Sequence, residues 1–374
     1  MIKIWTKLKK IMNKPEVKSK PEHPYADLSM KAFWRTAIAD QPPNNLISFW
    51  NPKFNIQKKD SIVTFGSCFA QNIGRELCAR GYNWHIEERL PQSINSDIRR
   101  HYNYDSFSVR TGNIYTTSLL RQWLSWALNN STMSQEVWTD GCRFFDPFRP
   151  RIAPNGFESE VEMLQSRKVT LSKLLTCIKS ADIFVFTLGL TECWRNTDGY
   201  EYPMCPGTVE GSFDSSRHFF KNLDYHEVFA GLESSIAMIR SINANVKVLL
   251  TVSPVPLTAT MSGKHVLEAT TYSKSILRAV VGDLASSSDY IDYFPSYELA
   301  NWPCARRNIF NENLRTVSSS GVSFIMDHFF SGIGDDAISN MGEDSKFIVR
   351  SPVEGDNGEE CDDALLEAFS KDLK

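Results

Sequence analysis

Ile62-Val63-Thr64-Phe65-Gly66-Ser67-Cys68-Phe69-Ala70 is the stretch from which the fold is read. An apolar run ends in a glycine, followed by two side chains able to act as nucleophiles. Ala70, Ile73 and Leu77 then fall at i, i+3 and i+7, one face of a helix. Gly81 is a stop just past the end of that helix. The stretch therefore reads as strand, sharp turn, helix. Such a turn sets Ser67 and Cys68 at the carboxyl end of a strand, where open α/β sheets place their ligands. It also sets them at a helix N-terminus, whose amides and dipole favour an anion and would stabilise a thiolate. A tight turn around a buried, inert cysteine has the same tripeptide, so Gly-Ser-Cys alone does not choose between the two.

Working outward, similar apolar runs recur at Asp182–Leu188 and Val246–Val252, with a shorter one at Tyr290–Phe294. Helical patterns separate them. One runs through Leu119, Leu120, Trp123 and Ala127, and another covers 157–180. Val228, Leu232, Ile236 and Ile239 mark a helix over 225–241, and further patterns cover 265–285 and 319–330. Strands that are apolar throughout, alternating with helices, imply a parallel sheet covered on both faces. The expected fold is a three-layer α/β/α domain with a central, mostly parallel sheet and parallel strands at 61–65, 182–188 and 246–252. Residues 82–118 read as long loops. Residues 128–155 hold Trp138, Phe144, Phe145, Asp146, Phe148, Arg149 and Arg151, an aromatic and basic insertion. It reads equally as a substrate-facing lid or as a loop pinned by its aromatics. Gly199–Ser216 is turn-rich.

Bulk properties narrow the class. The 374 residues carry a net charge of −3, with 42% hydrophobic and 23% charged residues. This composition is ordinary for a globular protein and gives no reason to expect a nucleic-acid partner. No stretch approaches the roughly 18 apolar residues of a membrane span. The start, Met1–Met12, is basic and too charged for a signal-peptide core. The reading is a flexible basic segment over 1–24, one domain over 25–350 and an acidic tail over 351–374. Eight scattered cysteines without a C-x-x-C pair argue for reduced thiols, a cytoplasmic setting and no metal site.

Gly66-Ser67-Cys68-Phe69-Ala70 matches the motif that names the GSCFA family, and further blocks follow in family order. They are Arg110–Thr116, Thr187–Glu192, Ser253–Thr260 and Tyr293–Glu298. The chain is thereby identified as a member of that family, which resembles the SGNH (GDSL-like) hydrolases and acyltransferases in its first block. The resemblance implies an SGNH-hydrolase-like, flavodoxin-like fold with loop insertions. It also implies acyl transfer, which needs a nucleophile, a base and donors to an oxyanion. Aligning the superfamily's Gly-Asp-Ser on Gly66 makes Cys68 the nucleophile, with Ser67 the runner-up. Gly112, preceding Asn113, stands for the second-block glycine. Gly189-Leu190-Thr191-Glu192 stands for the third block, with Thr191 in place of the oxyanion-donating asparagine and Glu192 orienting loops or binding substrate.

The fifth block departs from the family. Where the resemblance implies Asp-x-x-His, this chain has Asn313 and Thr316, neither of which is a general base near neutral pH. Among the seven histidines, His265 ranks first because it closely follows the Ser253–Thr260 loop. His218 ranks second, and His328 reads as structural. The functional expectation is an acyltransferase or esterase acting on an O-acylated glycan or related hydroxylated substrate, in a bacterial surface-polysaccharide pathway. Acyl-CoA is a candidate co-substrate and no other cofactor is expected. The alternative is a non-catalytic glycan- or ligand-binding module, with Trp138 and Trp194 available for sugar stacking.

Overall fold

The computed structural model describes residues 23–41, 46, 49–302, 309–335 and 366. The expected basic segment 1–24, except its last two residues, and the acidic tail, except residue 366, lie outside the described residues. Residues 1–49 and 50–374 form two units. The described part of the first holds a 3-10 turn at Met30–Ala32 and a wide helical turn at Arg35–Ala39.

The second unit begins with β1 (Ile62–Gly66), α1 (Phe69–Ala79), α2 (Ser96–His101) and α3 (Thr117–Ala127). A hairpin of β2 (Trp138–Thr139) and β3 (Phe144–Phe145) precedes α4 (Glu160–Ser180) and β4 (Ile183–Leu188). Three short strands follow, β5 (Glu192–Asn196), β6 (Glu201–Tyr202) and β7 (His218–Asn222), then α5 (Tyr225–Ile242) and β8 (Lys247–Val252). The chain continues through α6 (Val266–Ser286), β9 (Ile291–Tyr293), α7 (Ser296–Asn301) and α8 (Ser319–Gly332).

The central sheet is parallel and four-stranded, in the order β1-β4-β8-β9. β1 and β4 are buried at every residue, as a sheet covered on both faces requires. α1, α7 and α8 pack on one side, and α3, α4, α5 and α6 form a continuous layer on the other. The strands expected from the apolar runs, and the helices between them, are all present. Five of the long helices open on a side-chain cap, Thr116, Ser159, Asp224, His265 and Ser318 each accepting an amide of the first turn, whereas α1 has none.

Neither small sheet, the β2–β3 hairpin nor that of β5–β7, is foreseen in the sequence reading. β5 pairs antiparallel with both β6 and β7. The β5–β6 turn is closed by Asn196, whose Oδ1 accepts the amides of Asp198 and Tyr200, and by Gly199 at φ +86°. Asp198-Gly199 is the local hairpin signal for this turn.

The insertion 128–155 is pinned by its aromatics, with Trp138, Phe145 and Phe148 in the core and Phe148 stacked on Tyr202, and by charge. Asp146 lies between the fully buried Arg149 and Arg167, each 2.7 Å from one of its oxygens. Arg149 also donates to Thr170 Oγ1 at 2.7 Å, and Thr170 donates to Glu88 at 3.0 Å. Glu88 receives Arg110, which also holds the Ile152 carbonyl at 3.1 Å. Arg167 holds the Ser134 carbonyl at 2.7 Å. The insertion is thus bound to α4 at both ends, which argues against a mobile lid.

Two expected outcomes follow. Burial alone would raise the Asp146 carboxyl, but Arg167 and then Arg149 outweigh it and hold it at about 2. A depressed folded value stabilises the protein above the unfolded carboxylate's pKa. Stability should therefore fall by on the order of 2 kcal/mol as pH drops from about 4 to about 2, measured by urea denaturation against pH. Asp146→Asn should cost about 3–5 kcal/mol at neutral pH, because two buried cations lose their shared anion. An unchanged denaturation midpoint would remove the network from the account of stability.

Candidate functional site

β1 ends at Gly66 with φ +125°, and a Cβ there would stand 2.2 Å from the Thr187 carbonyl oxygen of β4. Only glycine fits, both for its backbone angle and for that approach. The next residue benefits directly: the Ser67 amide donates to Thr187 O at 3.0 Å. The Gly66 carbonyl accepts the Ile114 amide at 2.8 Å. Tyr115 O accepts the amides of Gly189 and Leu190, and Leu188 O accepts the Ser253 amide at 2.8 Å. Backbone bonds thereby gather four segments distant in sequence at the carboxyl ends of β1, β4 and β8. Between them lies a small, partly open cavity of about 10 Å³, walled by Ser67, Cys68, Tyr115, Gly189, Ser253 and Val255 among others.

Ser67 is the notable side chain in this wall. It is 2% exposed, and its Oγ is buried without a hydrogen-bond partner. Buried hydroxyls are ordinarily satisfied, but among the described residues those of Ser61, Thr117 and Thr187 are unpartnered in the same way, and Ser67 differs from them in lining the cavity. Cys68 occupies the N-cap of α1 and packs against Val255 and Val317. Its sulfur is disulfide-bonded, with the partner outside the described residues. This corrects the expectation of a thiolate at this helix start, since a disulfide sulfur is not ionised. The other described cysteines are free thiols. Burial pushes Cys78 up, Cys205 up to about 11, and Cys177 and Cys193 further still.

The second-block residues border a different cleft. Gly112 has φ +70°, and with Asn113 it lines a cleft of about 20 Å³ against Phe107, Arg149 and Arg151. Asn113 Oδ1 accepts from Gln71 on α1 at 3.3 Å, which ties this segment to the helix that starts at the cavity.

The third-block residues are occupied by structural bonds. Thr191 is fully buried, and its hydroxyl donates to Asn222 Oδ1 on β7 at 2.7 Å. Its proton is therefore committed away from an oxyanion. Glu192 accepts from Thr260 Oγ1 at 2.6 Å, clamping the loop that follows β8. Burial raises this carboxyl, while Thr260 and the Met261 amide pull it back.

None of the leading histidines stands in the cavity wall. His265 is exposed, and its Nδ1 caps α6 by accepting the Leu267 amide at 3.1 Å. His218 is buried on β7, where its Nδ1 accepts the Asp214 amide at 3.1 Å. His328 lies 2.8 Å from the Phe324 carbonyl and is lowered by burial. Asn313 folds back on its own loop, taking the Arg315 and Thr316 amides and the Thr316 hydroxyl. The next residue, Val317, still reaches Cys68. The fifth-block segment thus arrives at the site while its two polar residues close a turn.

Lys274, which the sequence reading passes over, is fully buried on α6 and donates to the Gly189 carbonyl at 2.7 Å. Its neighbour Ser273 accepts the Thr191 amide at 3.0 Å. The available signal is the spacing: Lys274, Leu277 and Val281 lie at i, i+3 and i+7, which puts a lysine on the apolar stripe.

The state of Cys68 has a direct readout. Without reductant, iodoacetamide should modify the exposed Cys142 and leave Cys68 unmodified, and reduction should open Cys68 to labelling by mass spectrometry. Modification of Cys68 in unreduced protein would show that its thiol is free.

Among the described residues no helix is long and apolar enough to cross a membrane. No curated protein matches the sequence. Among solved structures, a crystal structure of an acetyl esterase mutant with acetate ion shares 12% identity at a TM-score of 0.23. That match covers 60% of this chain and 94% of the other. The GSCFA family matches residues 61–329, and the chain belongs to the GSCFA family.

Proposed function

We propose that the protein is an acyl-transfer enzyme, an esterase or acyltransferase acting on an O-acylated glycan or related hydroxylated substrate, with Ser67 as its nucleophile. The observation that carries this reading is the buried, unpartnered Ser67 Oγ in the cavity wall. Serine and cysteine are the two nucleophiles that the first block offers, and a sulfur held in a disulfide supports Ser67 over Cys68. In the reaction, Ser67 Oγ bonds to the acyl carbonyl carbon and gives up its proton. The donor's alkoxide or thiolate leaves with a proton, and a substrate hydroxyl or water then takes the acyl group from the serine. Amides at the start of α1 are suited to the developing oxyanion, since the helix dipole favours negative charge there. Acyl-CoA is a fitting donor class, and a bacterial surface polysaccharide a fitting acceptor.

A specific observation favours a second reading, a non-catalytic ligand-binding module. The cavity wall contains no histidine, and Asn313 and Thr316 close their own turn.

Turnover of thioester and O-ester donors by wild type, Ser67→Ala and Cys68→Ala separates these readings. Ser67→Ala should lower the rate at least about a hundredfold, while Cys68→Ala keeps the greater part of it. Loss confined to Cys68→Ala, together with activation by reductant, would return the role to the cysteine. Absence of turnover with ligand binding intact would favour the module.

A further inference from the structure

Among the described residues of the first unit, large apolar side chains are left uncovered. The segment 23–41 is ordered by main-chain bonds. The Ala32 amide donates to Ser29 O at 3.0 Å, Ala37 to Phe33 O at 2.9 Å and Asp40 to Arg35 O at 2.8 Å. Neither of its two turns holds a buried residue. Tyr25, Met30 and Trp34 are 66%, 73% and 73% exposed, and Leu28 and Phe33 are exposed as well. Helical turns this short are marginal in water on backbone bonds alone and draw their stability from burying apolar surface. Five exposed large apolar side chains within residues 25–34 mark this segment as an interaction surface.

Charge and composition point to what covers it. Residues 1–41 hold nine Lys and Arg against four Asp and Glu, a net +5, whereas the rest of the chain carries −8. Seven of those cations are lysines between Lys3 and Lys20, so they lead directly into the exposed segment. Tyr and Trp favour the boundary between headgroups and acyl chains, where the ring is buried and its polar edge stays wet. Cations beside such side chains are the pattern of a segment that lies on an anionic bilayer. A second copy of this chain fits less well, because two segments of the same sign repel. The −8 of the remaining chain is spread over 333 residues, a diffuse charge beside that of a lipid surface.

We propose that residues 1–41 are a peripheral anchor for an anionic lipid bilayer, with Tyr25, Met30, Phe33 and Trp34 entering the headgroup region and the lysines meeting its surface charge. Such an anchor rests on the membrane without crossing it, as the absence of a membrane-spanning helix among the described residues requires. It is independent of the chemistry at Ser67.

The test floats the full chain with vesicles of phosphatidylcholine, alone or with about 30% phosphatidylglycerol, at about 50 and about 500 mM salt. Wild type should partition onto the phosphatidylglycerol vesicles at least about tenfold better than onto phosphatidylcholine, and lose most of that binding at the higher salt. The double variant Phe33→Ser with Trp34→Ser should float at least about tenfold less, yet melt within a few degrees of wild type and sediment as the same species without vesicles. A triple variant of Lys7→Gln, Lys9→Gln and Lys10→Gln should float less and lose part of the salt dependence. Equal flotation of wild type on both vesicle types, or of the double variant and wild type on phosphatidylglycerol, would overturn the anchor. A double variant that melts well below wild type without vesicles would assign the apolar residues to this chain's own fold, and one that changes oligomeric state would assign them to a second copy. Either result also overturns the anchor.

Discussion

The carboxyl end of the sheet depends on the contact between Gly66 and Thr187. In the parallel register these two residues are partners, and they approach too closely for any side chain on Gly66. That approach lets the Ser67 amide reach the Thr187 carbonyl, so the chain turns out of the strand while still tied to the sheet. The Gly66 carbonyl is left to accept Ile114, which draws in the 112–116 segment. Tyr115 then receives Gly189 and Leu190, and Leu188 receives Ser253. The cavity is therefore assembled from main-chain bonds, and its shape is set before any side-chain chemistry. An alanine at position 66 would disturb this whole chain of contacts, because strain at a positive φ would add to a backbone clash.

The buried charges divide into two groups with different jobs. Asp146, Arg149, Arg167, Arg110 and Glu88 satisfy one another and several carbonyls of the insertion. They hold the insertion to α4 beside the core contacts of Trp138, Phe145 and Phe148. Their specificity comes from the planar guanidinium fork, which lysine could not reproduce. Lys274 belongs to the second group. It donates to the carbonyl of Gly189, a residue of the cavity wall.

The framework of the domain was legible because its strands are apolar on both faces. Ile62–Phe65, Ile183–Leu188 and Lys247–Val252 read the same way in sequence and in space. The β5–β7 sheet was missed because its strands are short and mixed, with Trp194, Arg195 and Asn196 side by side. Long-range pairing rather than local pattern fixes them, and only Asp198-Gly199 hinted at a turn. Of the block residues that the family resemblance assigns to the site, Ser67, Cys68 and Gly189 line one cavity, while Gly112 and Asn113 line another cleft and Thr191 and Glu192 line neither. The oxidation state of Cys68 was not legible, since a pairing between distant cysteines leaves no mark in local spacing. His265 shows a related ambiguity. A histidine just before a helix has the same position in sequence whether it serves a cavity or the Leu267 amide.

The fifth block separates the placement of a segment from the chemistry it carries. Asn311 and Thr316 pair through main chain and side chains, and Asn313 completes the turn from within. An aspartate and a histidine at 313 and 316 would need their polar atoms free to meet the nucleophile. Asn and Thr instead satisfy backbone donors locally, a task to which such short polar side chains are suited. Val317 continues onto Cys68, so the segment closes the cavity by apolar contact. On the reading of Ser67 as a nucleophile, the start of α1 would have to stabilise developing charge without an imidazole, a task its aligned dipoles suit because they need no reorganisation.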